Sequence, residues 1–347
     1  MAPEKNYPAK LFVPAILALL VLLAGCAQKQ PAENELVVYT YDSMVSEYGL
    51  GPKIVPKFEE QCDCNVIMVA KGDAGQVLTA LELEKNNPRA DVVIGIDNSL
   101  SSKAISKGLL EKFTPKNINL VPESLRFDSE GFLTPYDYGF IAFVYDSEKI
   151  GVPLEGFNDI LSPKLKGKIA IQNPRTSSPG LALLLWTVAV YGDPGYKEFW
   201  KEFRPNVLTV TQGWDESAGL FSAGEVPIYL SYATSPPYYA EFEGIGHFLA
   251  AGFREGHYFQ IEGMGVVKGA KHRKLAEQFI EFSLDEKFQE EVPFTQFMFP
   301  VNEGVELPEA FRKYSLRPET QLELDPALVQ EKEEEWVSEW EKIMSSG

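Results

Sequence analysis

The chain has 347 residues and carries 50 acidic against 32 basic side chains, a formal charge of −18. That balance disfavours nucleic acid as a partner, because no basic stripe is present to neutralise phosphates. It is compatible with a cationic ligand, and the composition is that of a folded globular protein.

Lys5 and Lys10 precede an apolar run from Leu11 to Ala24, which has signal-peptide length and is too short for a comfortable membrane span. The run ends in Leu23-Ala24-Gly25-Cys26, similar to a bacterial lipobox. On that reading residues 1–25 are a lipoprotein signal peptide and Cys26 is the lipidated first residue of the mature chain. An uncleaved apolar anchor is the other reading, and both put the globular part outside the cytoplasm. Residues 26–35 are polar, contain one proline and lack apolar spacing, so they form a flexible tether. Cys62 and Cys64, in QCDCN, are too close for a zinc site and have no second pair to complete one. An exported compartment permits a disulfide between them, although one intervening residue strains the closure; two free thiols are the alternative.

From Leu36 onward, apolar runs alternate with helical patterns: LVVYTY, IVPKFEE, CNVIMVA, QVLTALELEK, ADVVIGI and KAISKGLLEKF. The alternation resumes after Tyr145 with KGKIAIQ, GLALLLWTVAV, NVLTVTQ and VPIYLSY. This is the pattern of an α/β sheet with helical crossovers, and the chain is long enough for two lobes. Leu133–Asp146 and Tyr258–Lys268 read as long strands interrupted by Pro135 and Gly139, and by Gly263 and Gly265, able to cross a hinge. The chain would leave a first lobe near Tyr138 and return near Phe259. Residues 36–138 with 259–298 then form lobe 1, and 139–258 with 299–347 form lobe 2. Near the end, Asp325 and Pro326 suit a helix start, and Trp336, Val337, Trp340, Ile343 and Met344 make a stripe that docks on the body.

No enzyme motif emerges. His247, His257 and His272 are scattered without a zinc-ligand spacing, and there is no G-x-S-x-G elbow, Walker loop or dinucleotide fingerprint. Three stretches suit backbone that touches a ligand at a helix start: Lys71–Gly75, Asn173–Gly180 and Thr211–Asp215. A fourth, SYATSPPYYAEF at 231–242, wraps Tyr232, Tyr238 and Tyr239 around a Ser-Pro-Pro turn. Metal ligands, aromatic walls and plain packing all fit those tyrosines.

Eight ordered blocks carry a wider likeness: VYTYDS, CDCN, ADVVIGIDN, PYDYGFIAFVYD, NPRTSSPGLALLLW, TQGWDESAGLF, LSYATSPPYY and EGHYFQIE. Together they resemble the periplasmic thiamine-binding proteins of ATP-driven importers, over nearly the whole mature chain. The resemblance implies a two-lobed type II binding-protein fold that closes over thiamine or its phosphates. It implies a carrier that serves an ABC permease and its ATPase, expected as a monomer with no cofactor and no metal; the membrane tether is expected from the lipobox at Cys26. The family's binding positions fall on Asp73, Ala74, Ser177, Ser178, Trp214, Tyr232, Ala233, Thr234 and Ser235, with Tyr41, Tyr48, Tyr238 and Phe297 as aromatic neighbours. Ala74 stands where glycine is common, and Tyr48 and Phe297 where tryptophan is. Two other readings share the architecture. Tyr238-Tyr239 resembles the ligand pair of ferric-ion binding proteins, and thiamine-cleaving enzymes use a related fold with a cysteine nucleophile.

Overall fold

The computed structural model describes residue 3 and residues 34–346; the rest of the expected signal peptide, Cys26 and the expected tether through residue 33 lie outside the described residues. Among the described residues no helix is long and apolar enough to cross a membrane. The described residues form twelve strands: β1 (Glu35–Thr40), β2 (Asn65–Ala70), β3 (Val92–Asp97), β4 (Leu110–Glu111), β5 (Thr134–Asp146), β6 (Ile169–Gln172), β7 (Val207–Thr211), β8 (Ile228–Tyr232), β9 (Phe248–Ala250), β10 (His257–Val267), β11 (Phe299–Pro300) and β12 (Gln321–Leu322). Glu35, expected in the tether, is the first residue of β1.

The sheet order is β2-β1-β3-β10-β5-β8-β6-β7, with short strands added to β5 and β10. β1 runs parallel to β2 and β3, and β6 runs parallel to β7 and β8. In these two parallel units the inner strands are the most buried, β3 along its whole length, while the outer strands β2 and β7 remain partly exposed. Two long antiparallel strands join them. β5 pairs with β10 as far as Phe140 and with β8 from Ile141 onward, so one continuous strand changes partners in mid-course. This is the two-lobed type II architecture, with β5 and β10 passing between the lobes.

Asp325 caps the C-terminal helix Pro326–Ser345 by accepting from the Ala327 N–H at 2.8 Å. Trp336 and Trp340 are buried, and Trp340 meets Trp200 edge-on at 5.7 Å. Truncating either indole would cost about 3–5 kcal/mol.

Two local expectations are corrected. KAISKGLLEKF is a short helix, Ser101–Ser106, followed by β4, because Gly108 turns the chain at φ +64°. The Ser-Pro-Pro stretch is not a turn: Pro236 and Pro237 open the helix Pro236–Phe242. Proline lacks only an N–H that the first helical turn leaves unpaired, so it fits there as well as in a turn.

Candidate ligand cleft

Three strand-to-helix junctions converge on one cleft. β2 leads to the helix Ala74–Glu84, β6 to Ser178–Tyr191 and β7 to Trp214–Ser222. The first starts with a capping box: Asp73 Oδ1 accepts from the Ala74 N–H at 2.6 Å and Gln76 Oε1 from the Asp73 N–H at 2.9 Å. Each helix start carries a partial positive charge, although the leading N–H groups of Ala74, Gly75 and Trp214 are taken by protein acceptors.

The junctions also hold the lobes shut. The Trp214 N–H donates to Asp73 Oδ2 at 3.0 Å, the Gly75 N–H to the Thr176 carbonyl at 3.1 Å, and the Tyr48 hydroxyl to Asp215 Oδ1 at 2.7 Å. A Cβ at residue 75 would stand 2.8 Å from the Thr176 oxygen, so only glycine permits that approach. Burial raises the Asp73 carboxyl above its ordinary range, and burial likewise raises Asp215.

Of the residues picked from sequence, Tyr41, Asp73, Ser178, Trp214, Tyr232 and Phe297 line the cleft. Tyr48, Ser235 and Tyr238 line an adjoining aromatic recess that shares Trp214 and Phe297. Phe297 lies 4.9 Å from Tyr238 and 5.6 Å from Trp214, ring centre to ring centre. Ala74, Ser177, Ala233 and Thr234 line neither space, and three of them have visible structural work. Ala74 gives its N–H to Asp73, Ala233 gives its N–H to the Phe140 carbonyl at 2.8 Å, and the Thr234 hydroxyl donates to the Phe297 carbonyl. Ser177 is buried at the start of the second helix.

Support for the aromatic walls comes from behind. Trp214 Nε1 donates to Ser231 Oγ at 2.9 Å, and Ser231 is bonded in turn to Ser235 at 2.8 Å, which fixes the indole plane. Phe297 has φ +55°, a left-handed conformation that costs a bulky residue of order 1–3 kcal/mol and persists only where the surroundings hold it. Thr234 is one such constraint.

Tyr238 and Tyr239 do not act as a pair. Tyr239 is buried behind the recess that Tyr238 lines with it, and its hydroxyl is bonded to that of Tyr229 at 3.0 Å; it does not line the main cleft. Among the described residues no cluster of three or more His, Cys, Asp or Glu could hold a metal ion. Cys62 and Cys64 are joined by a disulfide at the end of the helix Gly51–Cys62, and neither lines the cleft. His257 is buried in β10, its Nε2 accepting from the Phe253 N–H at 2.9 Å. Burial depresses it to about 4, so it is neutral at physiological pH. Glu262 and Gln296 line the cleft and were not singled out from sequence, whereas Gln212 and Asp215 line it within the stretch Thr211–Asp215 picked there.

A two-lobed sheet whose helix starts and aromatic side chains close on one cleft defines a solute receptor. The chain belongs to the bacterial extracellular solute-binding proteins, whose family pattern matches residues 87–318. More narrowly, it is 38% identical to the thiamine-binding periplasmic protein of Escherichia coli (strain K12), over 94% of this chain and 98% of that one. The thiamine-binding periplasmic protein of Brucella melitensis is 40% identical, over 92% and 95% of the two chains. A solved periplasmic thiamin binding protein superposes with a TM-score of 0.85 at 38% identity, over 90% of this chain and 96% of that one.

Proposed function

We infer that this protein captures thiamine outside the cytoplasm and delivers it to an ABC import permease. The observation that carries the reading is the cleft itself: Tyr41, Tyr232, Trp214 and Phe297 converge beneath helix starts while both lobes hydrogen-bond across the opening. Thiamine joins a flat aminopyrimidine to a permanently cationic thiazolium, so it favours stacking on aromatic faces and attraction to them. A cation over a desolvated ring contributes about 2 kcal/mol, against about 8 kcal/mol for micromolar binding. Ser178 and the N–H groups at the start of its helix suit the hydroxyethyl tail or a phosphate on it, which extends the reading to thiamine phosphates.

Closure of lobes 36–138 with 259–298 and 139–258 with 299–347 buries the ligand and presents the closed form to the permease. Lipidation at Cys26 would keep the monomer at the membrane surface. The protein is read as a carrier rather than an enzyme: a thiamine-cleaving site needs a nucleophile, and the disulfide removes both described cysteines from that role.

Isothermal titration with thiamine, its monophosphate and its diphosphate, with mass spectrometry of whatever co-purifies, tests the function. Micromolar or tighter binding of at least one is expected. No heat with any of the three would sink it, and free pyrimidine after incubation would replace carriage with catalysis.

A further inference from the structure

β3, β10 and β5 set three carboxyls in one row. Glu262 in β10 is registered opposite Asp97 of β3 on one side and opposite Asp137 of β5 on the other. Residues so paired project from the same face of a sheet, and like charges there repel. Asp97, Glu262 and Asp137 are 0%, 6% and 0% exposed. The acids that bear on them are Asp73 on Glu262, and on Asp97 the Glu333 carboxylate, which is itself paired with Lys103 at 2.9 Å.

Two bulges flank the row, each inserting one residue beside Glu262. Tyr136 is skipped in the register of β5 with β10, and Gly95 in that of β3 with β10. The Tyr136 hydroxyl donates to Glu262 Oε2. Gly95, at φ +96°, leaves room for the Tyr41 ring, which would lie 2.4 Å from a Cβ there. The Tyr41 hydroxyl donates to the same Oε2 at 2.9 Å, and Gln260 Nε2 donates to Oε1 at 3.2 Å. Burial raises the Glu262 carboxyl above its ordinary range, and the three donors oppose that rise by favouring its charged form. Neither oxygen of Asp137 has a hydrogen-bond partner, and burial with the neighbouring Glu262 charge holds its carboxyl well above the usual range.

Buried, unneutralised acids are costly, and apolar or amide side chains would complete these strands without the repulsion. A second observation points to a ligand. Gln296 lines the same cleft, is 9% exposed and has a carbonyl oxygen without a partner, while its amide nitrogen donates to the Tyr41 hydroxyl. Glu262 and Gln296 thus bring hydrogen-bond acceptors to the lining of the cleft, with Gln296 also beside Asp137.

We propose that Glu262, flanked by the Gln296 carbonyl and backed by Asp97 and Asp137, is the counter-charge that recognises the cationic, amine-bearing part of the ligand. This rests on the reading that the ligand is thiamine. It sets the ligand's direction, with the aminopyrimidine and the cationic thiazolium toward the acid row and the tail toward the helix starts. It also links binding to protons. The titratable groups facing Glu262 are Tyr41 after β1, Asp73 after β2, Asp97 in β3, Tyr136 and Asp137 in β5, and Tyr232 in β8, with Glu333 behind Asp97. All are acids or phenols, so an entering cation favours ionisation of the row and a proton leaves it for the buffer.

The test compares thiamine with deazathiamine, in which a neutral thiophene replaces the thiazolium. Wild-type protein is expected to favour thiamine at least tenfold. Glu262→Gln is expected to lose at least tenfold for thiamine and less than threefold for deazathiamine. Equal losses, or none, with thiamine binding intact in the wild type would overturn the inference alone; a wild type that binds neither compound would overturn the ligand reading and this inference with it. Should Glu262→Gln not fold, titration of the wild type in buffers of different ionisation heat decides: net proton release with thiamine and none with deazathiamine supports the proposal, and equal counts overturn it.

Discussion

Asp73 and Trp214 meet across the cleft: the Trp214 N–H of one lobe donates to the Asp73 carboxylate of the other at 3.0 Å. The two oxygens of Asp73 divide the work, Oδ1 capping its own helix and Oδ2 clasping the facing one. Asp73→Asn keeps one acceptor for the cap and removes the other. Stability should change by under about 0.5 kcal/mol, since Asn caps as well as Asp. Binding should weaken about 5- to 20-fold, the share of a charge-assisted hydrogen bond lost only on closure. Titration calorimetry and small-angle scattering would read this as lower affinity and a larger radius of gyration; wild-type affinity would remove the clasp from the binding cycle.

Thr234 touches the ligand space only through Phe297, whose carbonyl it holds. Thr234→Val should cost about 1 kcal/mol of stability through the lost hydrogen bond and loosen the Phe297 ring, weakening binding about fivefold. Phe297→Gly separates backbone from ring. It relieves a strain of about 1–3 kcal/mol but removes a buried ring worth about 3–5 kcal/mol, so stability should fall by no more than about 3 kcal/mol while binding falls at least tenfold. Denaturant melts set beside titrations decide it, and a stability loss with unchanged affinity in Phe297→Gly would show the ring to be core packing.

Much of the architecture was legible because it rests on local signals. The hinge strands announced themselves as long aromatic runs broken by Gly139 and Gly263, and Asp325-Pro326 marked the last helix. Tyr41, Trp214 and Tyr232 stood out as aromatic residues where strands end. The acid row was not legible as a row. Asp97, Asp137 and Glu262 each interrupt or end an apolar run, which is a visible signal one at a time, but their alignment depends on which strands become neighbours and on two single-residue bulges. Register is a tertiary property, and a shift of one residue would turn Glu262 to the other face. The reading of Pro236-Pro237 as a turn failed for the opposite reason, since the local preference is shared by turns and helix starts.

Gly95 is where that register meets the cleft. Its φ of +96° excludes most side chains, and a methyl would stand 2.4 Å from the Tyr41 ring. Gly95→Ala should cost about 2–4 kcal/mol, combining backbone strain with displacement of Tyr41. Binding should fall as well, because Tyr41 supplies both a cleft wall and a donor to Glu262. Thermal melting and ligand titration of the variant measure the two effects, and an unchanged melting point would contradict the close approach.

Asp97 gives a prediction in pH. Its Oδ1 accepts from the Ser99 and Leu100 N–H groups at 3.0 and 2.9 Å, and its Oδ2 has no partner. Burial raises its carboxyl to about 8 in the folded protein, against about 3.9 when unfolded. Between those values the folded state holds a proton that the unfolded state has released, so stability falls as pH rises from about 4 to about 8. Asn supplies the same Oδ1 and a neutral group in place of Oδ2. Asp97→Asn should therefore match the wild type near pH 4 and exceed it by about 2 kcal/mol at pH 8, a fraction of the full linkage because Glu262 and Asp137 titrate nearby. Urea melts of both proteins across that range test it; parallel curves, or a variant less stable at pH 8, would mean that Asp97 is already ionised in the folded state.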